Sequence, residues 1–237
     1  MLTPLKGNDS VVGVDFEAGA VLLVNKPPGM TSFGVVRRVR KIIGVRKVGH
    51  AGTLDPAATG LLILLTGQAT HRQREFMALE KEYRATILLG LQTTTWDLDG
   101  EVIARSDVPL MNREELANLL ADRFTGEIEQ VPPAFSAVKQ GGIPSYRRAR
   151  RGQSVALKPR KVTVSSIEIE AWAWPEFTLR LRCSSGFYVR SLAHDIGQAI
   201  GCGGTLKKLV RTAVGPHRLD EALDLDVLAA KLSPCQH

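Results

Sequence analysis

The chain has 237 residues, enough for a domain with a substantial core. Its 44% hydrophobic and 23% charged residues are ordinary for a soluble globular protein. No apolar run approaches the roughly 18 residues of a membrane span, and the first ten residues lack an apolar signal core, so neither a membrane nor export is indicated. Three cysteines without metal-ligand spacing fit a reducing cytoplasm, where we expect the protein.

A net charge of +7 is a weak indication of a polyanionic partner, but its distribution is more informative. The basic residues form two clusters. A single basic cluster alone is typical of a solvated surface. Two acid-free clusters in one basic chain make a polyanion an equal alternative. The first cluster comprises Arg37, Arg38, Arg40, Lys41, Arg46 and Lys47, and the second comprises Lys139, Arg147, Arg148, Arg150, Arg151, Lys158, Arg160 and Lys161.

The first predicted element is a short strand over Ala20–Asn25, ended by a Lys-Pro-Pro-Gly turn. Thr31 or Ser32 then caps a helix with a regular valine and isoleucine stripe, and Gly44 stands where a C-cap glycine belongs. A loop, Gly49–Gly60, follows by composition. Behind it we predict a buried strand, Leu61–Leu65, and a half-buried strand over Tyr83–Leu89, where apolar and polar residues alternate.

In the second half, Asn112 and Glu115 predict a capping box for a helix that runs to Phe124. A long basic excursion over Val131–Gly152 follows. The chain shows no repeats and no low-complexity linker. We therefore predict a single domain, residues 1–237, of the α+β class on a mixed, largely antiparallel sheet. The remaining predicted elements are the strands Val162–Glu170 and Phe177–Cys183, a turn over Trp172–Glu176, and helices Ser191–Ile200 and Leu223–Leu232.

The loop Gly49–Gly60 has the composition of a tight, shaped segment. It contains three glycines, a proline and a single acid, Asp55, set among apolar residues. An aspartate before a proline usually caps a turn, and the spacing alone does not displace that interpretation.

This loop resembles the signature loop of the TruB family of pseudouridine synthases nearly residue for residue. Further matching segments occur in the family's order and span about residues 20–215. The resemblance implies the pseudouridine synthase fold and isomerisation of uridine to pseudouridine, at position 55 in the TΨC loop of tRNA. The further segments are Val24–Ser32, Lys81–Tyr83, Pro132–Lys139, Gly186–Leu192 and Cys202–Arg211.

The resemblance also implies catalytic roles. Asp55 takes the place of the family's covalent nucleophile, and the resemblance leaves open whether it attacks the base or the ribose. Arg190 matches the arginine that favours the ionised carboxylate and orients it. Tyr83 matches a tyrosine that stacks on the target base and to which proton transfer has been assigned.

Further matches concern binding of the target uridine, which must be flipped out of the RNA stack. His50 matches the residue that fills the vacated space, and Leu209 lines the other face of the base. Tyr188 matches a second pocket tyrosine; on a strand its side chain would face the same way as that of Arg190. Lys26 matches a basic turn that supports the loop and contacts phosphate. Lys139 lies in the RNA-gripping insertion, residues 131–152.

We therefore expect the TΨC arm of tRNA as the partner, with no cofactor, metal, nucleotide or obligate protein partner, and a monomeric enzyme. About 20 residues follow Gly215, too few for the C-terminal PUA domain that many family members carry, so we expect the catalytic domain alone. Two alternatives stay open. One is an RNA-binding or tRNA-folding module with dispensable catalysis. The other is a carboxylate-based glycoside hydrolase, although no motif supplies the second acid that such an enzyme requires.

Overall fold

The computed structural model describes residues 4–136, 138–140, 143–149, 151, 153 and 157–232. The chain forms two compact units. The first unit contains the residues up to Tyr83 together with those from Val210 onward, and the second contains Arg84–Leu209. In the described part of the chain, no helix is both long and apolar enough to cross a membrane.

The elements follow one another in an irregular alternation of strands and helices. In chain order they are β1 (Val21–Lys26), α1 (Ser32–Ile43), β2 (Val48–His50), β3 (Thr59–Thr66), a 3₁₀ helix (Gly67–Arg72), α2 (Gln73–Ala78), β4 (Lys81–Leu89), β5 (Leu91–Thr93), β6 (Val102–Arg105), α3 (Arg113–Phe124), β7 (Gly126–Gln130), β8 (Lys139–Gln140), β9 (Ile143–Pro144), α4 (Ser145–Ala149), β10 (Arg160–Ala173), β11 (Glu176–Cys183), α5 (Val189–Ile200), β12 (Gly204–Val214), β13 (His217–Arg218), a short 3₁₀ helix (Leu219–Glu221) and α6 (Leu225–Leu232).

The first unit is organised around β3. One edge of β3 pairs antiparallel with β1, from Val21 opposite Leu65 to Lys26 opposite Gly60. β2 also pairs antiparallel with β3, and β12 pairs parallel with its first residues. Both faces of β3 are covered, because Leu62 and Leu64 belong to one apolar cluster and its other apolar residues to a second. This double coverage explains its uninterrupted apolar sequence.

Helix α1 begins and ends where the sequence predicts. The Thr31 side chain accepts a hydrogen bond from the Gly34 N–H, and Gly44 takes the left-handed conformation with φ 72°. Val35, Val36 and Val39 are buried, so one side of α1 is fixed in the core of the first unit.

In the second unit, β10 pairs antiparallel with both β7 and β11. Asn112 and Glu115 form the predicted capping box at the start of α3. The predicted turn over Trp172–Glu176 is too long, because β10 continues to Ala173 and β11 begins at Glu176. The rings of Trp172, Trp174 and Phe177 stack on one another there and extend the hairpin.

The predicted α+β class is confirmed, with both parallel and antiparallel pairs in its sheet. Two further local predictions are wrong. The predicted loop Gly49–Gly60 begins and ends within strands, since β2 includes His50 and β3 starts at Thr59. Tyr188 and Arg190 do not alternate along a strand, because Tyr188 is the N-cap of α5 and Arg190 lies in its first turn. Of the predicted insertion, residues 137, 141–142, 150 and 152 lie outside the described residues.

Candidate active site

Asp55 lies in the segment between β2 and β3, in the first unit. The two ends of this segment are held by β3 itself, because β2 pairs with its last residues. The Ala51 N–H donates to the Ile63 carbonyl at 2.9 Å. Within the segment, the Ala58 N–H donates to the Asp55 carbonyl at 3.1 Å and closes a turn. Asp55 itself is half-buried. The chain thus presents this carboxylate on a short turn with fixed ends.

The residue before Asp55 is anchored by a buried serine. The Ser32 Oγ accepts a hydrogen bond from the Leu54 N–H at 2.8 Å and donates one to the Leu54 carbonyl at 3.0 Å. Ser32 is the first residue of α1, so these two bonds connect the turn to a helix packed in the core. Sequence reasoning considered Ser32 only as a possible helix cap, a role that Thr31 takes instead.

The residue after Asp55 is anchored by a buried lysine. Lys26 is completely buried (0% exposed), and its Nζ donates to the carbonyl oxygens of Pro27 at 2.9 Å and Pro56 at 3.0 Å. The Gly29 N–H donates to the same Pro56 carbonyl at 2.9 Å. Lys26 therefore supports the loop, as predicted. Its complete burial is incompatible with the predicted contact to phosphate, which would require an exposed ammonium group.

Lys26 also contributes positive charge close to Asp55. Burial lowers the pKa of Lys26 to about 8; the Asp55 carboxylate opposes this decrease, and the charge of Arg211 adds to it. At neutral pH the ammonium form therefore still predominates. A cation near a carboxylate favours the ionised form of that carboxylate.

A second buried cation, Arg211 on β12, braces the other side of the segment. Arg211 is 1% exposed; its Nε donates to the Leu61 carbonyl at 2.7 Å and its Nη2 to the Gly52 carbonyl at 3.1 Å. The close approach of β12 to β3 requires Gly60, because a Cβ there would lie 2.3 Å from the Arg211 carbonyl oxygen. The sequence placed Arg211 in a matching motif but gave no sign that it is buried.

His50 and Tyr83 complete the predicted residues of the first unit. His50 is the last residue of β2, and its backbone carbonyl accepts a hydrogen bond from the Gln73 side chain at 2.7 Å. Burial, followed by the charge of Arg211, lowers the pKa of His50, so its imidazole is neutral at pH 7. Tyr83 is buried on β4. Their contacts with a substrate base stay predictions.

Arg190 lies in the second unit and is itself buried, at 5% exposure. Its Nη1 donates to the Thr95 carbonyl at 3.1 Å and its Nη2 to the Phe135 carbonyl at 2.9 Å. Its Nε lies 3.5 Å from Oδ2 of Asp97. Although Arg190 lies in the first turn of α5, it is therefore not a surface charge.

The turn that carries Asp97 is unusual in its backbone. Trp96 has φ 62°, a left-handed conformation that is uncommon for a residue with a large side chain. Its ring stacks on His194 of α5, with centroids 4.2 Å apart and planes 9° from parallel. The Thr93 hydroxyl donates to the Asp97 carbonyl at 2.6 Å. Sequence reasoning missed Asp97, whose only signal was the turn-like composition of residues 93–100.

Tyr188, Leu209 and Lys139 are the other predicted residues of the second unit. Gln130, itself buried, fixes the backbone of Tyr188: its Nε2 donates to the Tyr188 carbonyl at 3.0 Å, and its Oε1 accepts from the Tyr188 N–H at 2.7 Å. Leu209 is half-buried on β12, and Lys139 begins β8. The structure therefore places Asp55, Lys26, His50 and Tyr83 in the first unit, and Arg190, Tyr188, Leu209 and Lys139 in the second.

Several solved structures share this fold, among them the following. A chain in a crystal structure of a Cbf5–Nop10–Gar1 complex aligns with a TM-score of 0.70 and 29% identity over 95% of this chain and 62% of its own length. A chain in the archaeal box H/ACA sRNP Nop10–Cbf5 complex aligns with a TM-score of 0.68 and 27% identity, over 97% of this chain and 60% of its own. This chain thus spans about three fifths of theirs. The predicted pseudouridine synthase fold is confirmed.

The family follows from the sequence comparisons. The N-terminal domain of TruB family pseudouridylate synthases matches residues 40–189, and the C-terminal domain of tRNA pseudouridylate synthase B matches residues 190–235. The chain belongs to the TruB family of pseudouridylate synthases. It is similar to a tRNA pseudouridine synthase B of Opitutus terrae, with 47% identity over 90% of this chain and 88% of the relative. A relative of the same name from Desulfotalea psychrophila is 48% identical over 91% of this chain and 89% of the relative.

Proposed function

We propose that this protein isomerises uridine to pseudouridine at position 55 in the TΨC loop of tRNA, with Asp55 as its covalent nucleophile. The observation that carries the proposal is the bracing of Asp55, whose preceding and following residues are each bound by a buried polar side chain. Relatives of nearly the same length are tRNA pseudouridine synthases, which supports tRNA as the substrate.

The reaction suits an active site of this kind. The bond from N1 of uracil to C1′ of the ribose breaks, the base rotates, and a bond from C5 to C1′ forms. The proton on C5 is lost and N1 gains one, so substrate and product contain the same atoms. A carboxylate held in one geometry, with cations nearby to keep it ionised, supplies the nucleophile.

The roles of the other residues follow the family resemblance. We assign to Arg190 the orientation of the nucleophile, and to Tyr83 the stacking on the target base and transfer of a proton. His50, Tyr188 and Leu209 bind the everted base and the RNA around it. The described contacts of Arg190 support its role, because two carbonyl groups and Asp97 fix the direction of its guanidinium.

The wider setting is also part of the proposal. We assign the chain to a single catalytic domain, acting as a monomer in the cytoplasm on the TΨC arm. Lys139 and the insertion around it, residues 131–152, grip the RNA. Membership of the TruB family sets aside the glycoside hydrolase alternative.

The test is pseudouridine mapping on an unmodified tRNA transcript. Asp55→Asn and Asp55→Ala should reduce the rate of conversion by about 10³-fold or more, because no other group replaces the nucleophile. Binding of the tRNA should survive. The matched control is Asp107→Asn, at an exposed position, which should behave as the wild type.

Two outcomes count against the proposal. Full turnover by the Asp55→Ala protein would refute the role of Asp55. Tight binding by the wild-type protein without any conversion would favour the alternative, an RNA-binding module with dispensable catalysis.

A further inference from the structure

The exposed side of α1 carries an aromatic residue that the catalytic proposal does not use. Phe33 is 55% exposed, although a side chain of this size is usually buried. The guanidinium carbon of Arg37 lies 5.9 Å from the centroid of the Phe33 ring, and that of Arg40 lies 5.7 Å from it. Both distances are within the range of cation–π attraction. The ring therefore acts as a platform that orders two cationic side chains on the protein surface.

These residues belong to one helix face with surplus positive charge. Phe33, Arg37 and Lys41 are four residues apart, so they lie in a row along α1. Arg37 and Lys41 are exposed, and neither forms a hydrogen bond or ion pair with any residue that the structure describes. No acidic residue occurs in the sequence between Glu17 and Asp55. The surface thus offers cations for which its own segment supplies no counter-charge.

One end of this face begins at the residue next to Ser32, which binds the turn that carries the proposed nucleophile. Phe33 directly follows Ser32, whose hydroxyl binds both backbone groups of Leu54, the neighbour of Asp55. A polyanion lying along Phe33, Arg37 and Lys41 would therefore have one end at the start of α1, the part of the helix that binds the Asp55 turn. The face is also unsuited to a membrane. The apolar stripe of α1 is already buried in the core, which leaves the single ring of Phe33 as the large apolar side chain on the exposed side of the helix.

We propose that Phe33, Arg37 and Lys41 form a phosphate-binding face that holds the RNA backbone beside the nucleotide that is modified. The inference rests on the proposed function, because it takes the RNA as the polyanion. Arg37 and Lys41 bind phosphate groups, and Phe33 holds the Arg37 guanidinium in place before RNA arrives. Ordering the guanidinium in advance reduces the entropy lost on binding.

The neighbouring Arg38 provides a matched control. It has the same side chain and the adjacent position, but it forms an ion pair with Asp226. If the free cations of the face bind phosphate, Arg37→Gln and Lys41→Gln should weaken binding and Arg38→Gln should not.

The experiment measures the affinity for an unmodified tRNA transcript at several salt concentrations. Each lost phosphate contact should reduce the slope of log affinity against log salt by about 0.7–1. For Arg37→Gln and Lys41→Gln we expect that reduction and a three- to tenfold loss of affinity. In turnover, both variants should raise KM with little change in kcat.

A double-mutant cycle tests the part assigned to Phe33. Phe33→Leu keeps the apolar volume and removes the ring, and it should weaken binding two- to fivefold. In the Arg37→Gln background, the same change should weaken binding clearly less, since only the contact of the ring with Arg40 is then lost. Additive losses in the double variant would overturn this part, because they would show that the ring acts independently of Arg37.

The two proposals can fail separately. A wild-type protein that binds tRNA without converting uridine would overturn the proposed function, yet the salt slopes would still test this face. Normal conversion by the wild type, with Arg37→Gln and Lys41→Gln retaining its slope and KM, would overturn the phosphate-binding face alone. A wild-type protein that fails to bind tRNA would overturn both. Thermal melting of each variant verifies that it is folded.

Discussion

Asp55 and Arg190 are both charged side chains that the structure holds in place, but the contacts that hold them differ. Asp55 is half-buried and is positioned through its backbone, since the polar side chains described around it bind Leu54, Pro56 and Gly52. Arg190 is buried and is positioned through its own guanidinium, by two carbonyls and a carboxylate. In the first unit, the described bonds hold the backbone on either side of the functional group. In the second unit, the functional group itself makes the bonds.

The difference predicts how each region fails. Removal of one bracing residue from the Asp55 turn should loosen the loop without burying an uncompensated charge. Removal of the Asp97 carboxylate takes away one negative charge that faces a buried cation, which is usually the more expensive defect. The following variants test this comparison, in order of decreasing expected effect.

The largest effect is expected for Asp97→Asn. It should lower the free energy of unfolding by about 3 kcal/mol, and conversion of uridine should fall by about 100-fold as the Arg190 guanidinium loses its fixed direction. Urea denaturation and single-turnover kinetics measure the two effects. Asp99→Asn, an exposed position on the same turn, is the control. Equal behaviour of the two variants would contradict the anchoring of Arg190 by Asp97.

Arg211→Met tests one of the side chains that hold the Asp55 segment in the first unit. The carbonyls of Leu61 and Gly52 would lose their donors, so we expect a loss of about 2–3 kcal/mol in the free energy of unfolding. Lys208→Met changes an exposed cation on the same strand and should cost little. A stable Arg211→Met protein with full activity would show that the turn does not depend on this brace.

Ser32→Ala removes a single hydroxyl group, so we expect a smaller effect than that of Arg211→Met. Leu54 loses both of its hydrogen bonds to the side chain, at a cost of about 1–2 kcal/mol. The conversion rate should drop about tenfold while tRNA affinity changes less, because the defect lies next to the nucleophile. The comparison variant is Ser106→Ala, at an exposed site. An unchanged rate would mean that the turn is held without Ser32.

The smallest effect concerns pH. Burial raises the pKa of Asp195, on α5, from 3.8 to about 6. The folded state therefore holds this proton more tightly than the unfolded state, and wild-type stability from this group declines as the pH rises from about 4 to 6. Above that window, Asp195→Asn should be more stable by about 1 kcal/mol, after allowance for solvent screening. Denaturation at pH 4 and pH 7.5 checks this; an equal advantage at both values would contradict it.

Local sequence signals predicted the elements that are determined locally. The helix α1 has its caps at Thr31 and Gly44, and α3 has its capping box, because these bonds join residues three or four positions apart. The strand β3 was predicted from its apolar run, since burial on both faces leaves no polar positions.

The elements that were missed depend on distant residues. The start of α5 was predicted at Ser191, whereas the helix begins at Val189. The backbone of Tyr188, its N-cap, is bound by the side chain of Gln130, 58 residues away. Apolar and polar residues do not alternate cleanly along β12, so its sequence does not indicate a strand. Its buried arginine, Arg211, adds no apolar residue to the pattern. The catalytic candidates came from the family resemblance. Asp97 and the bracing role of Ser32 emerged only from the folded structure, which brings their partners together.

The contact between Gly60 and the Arg211 backbone has a consequence for engineering the loop. A methyl group at residue 60 would collide with main-chain atoms that cannot swing aside as a flexible side chain would, and its φ of 104° is strained for every residue except glycine. Libraries that vary the segment from Gly49 onward can change hydrophobicity and charge at many places. At this one place the two strands leave room for a hydrogen atom and nothing larger.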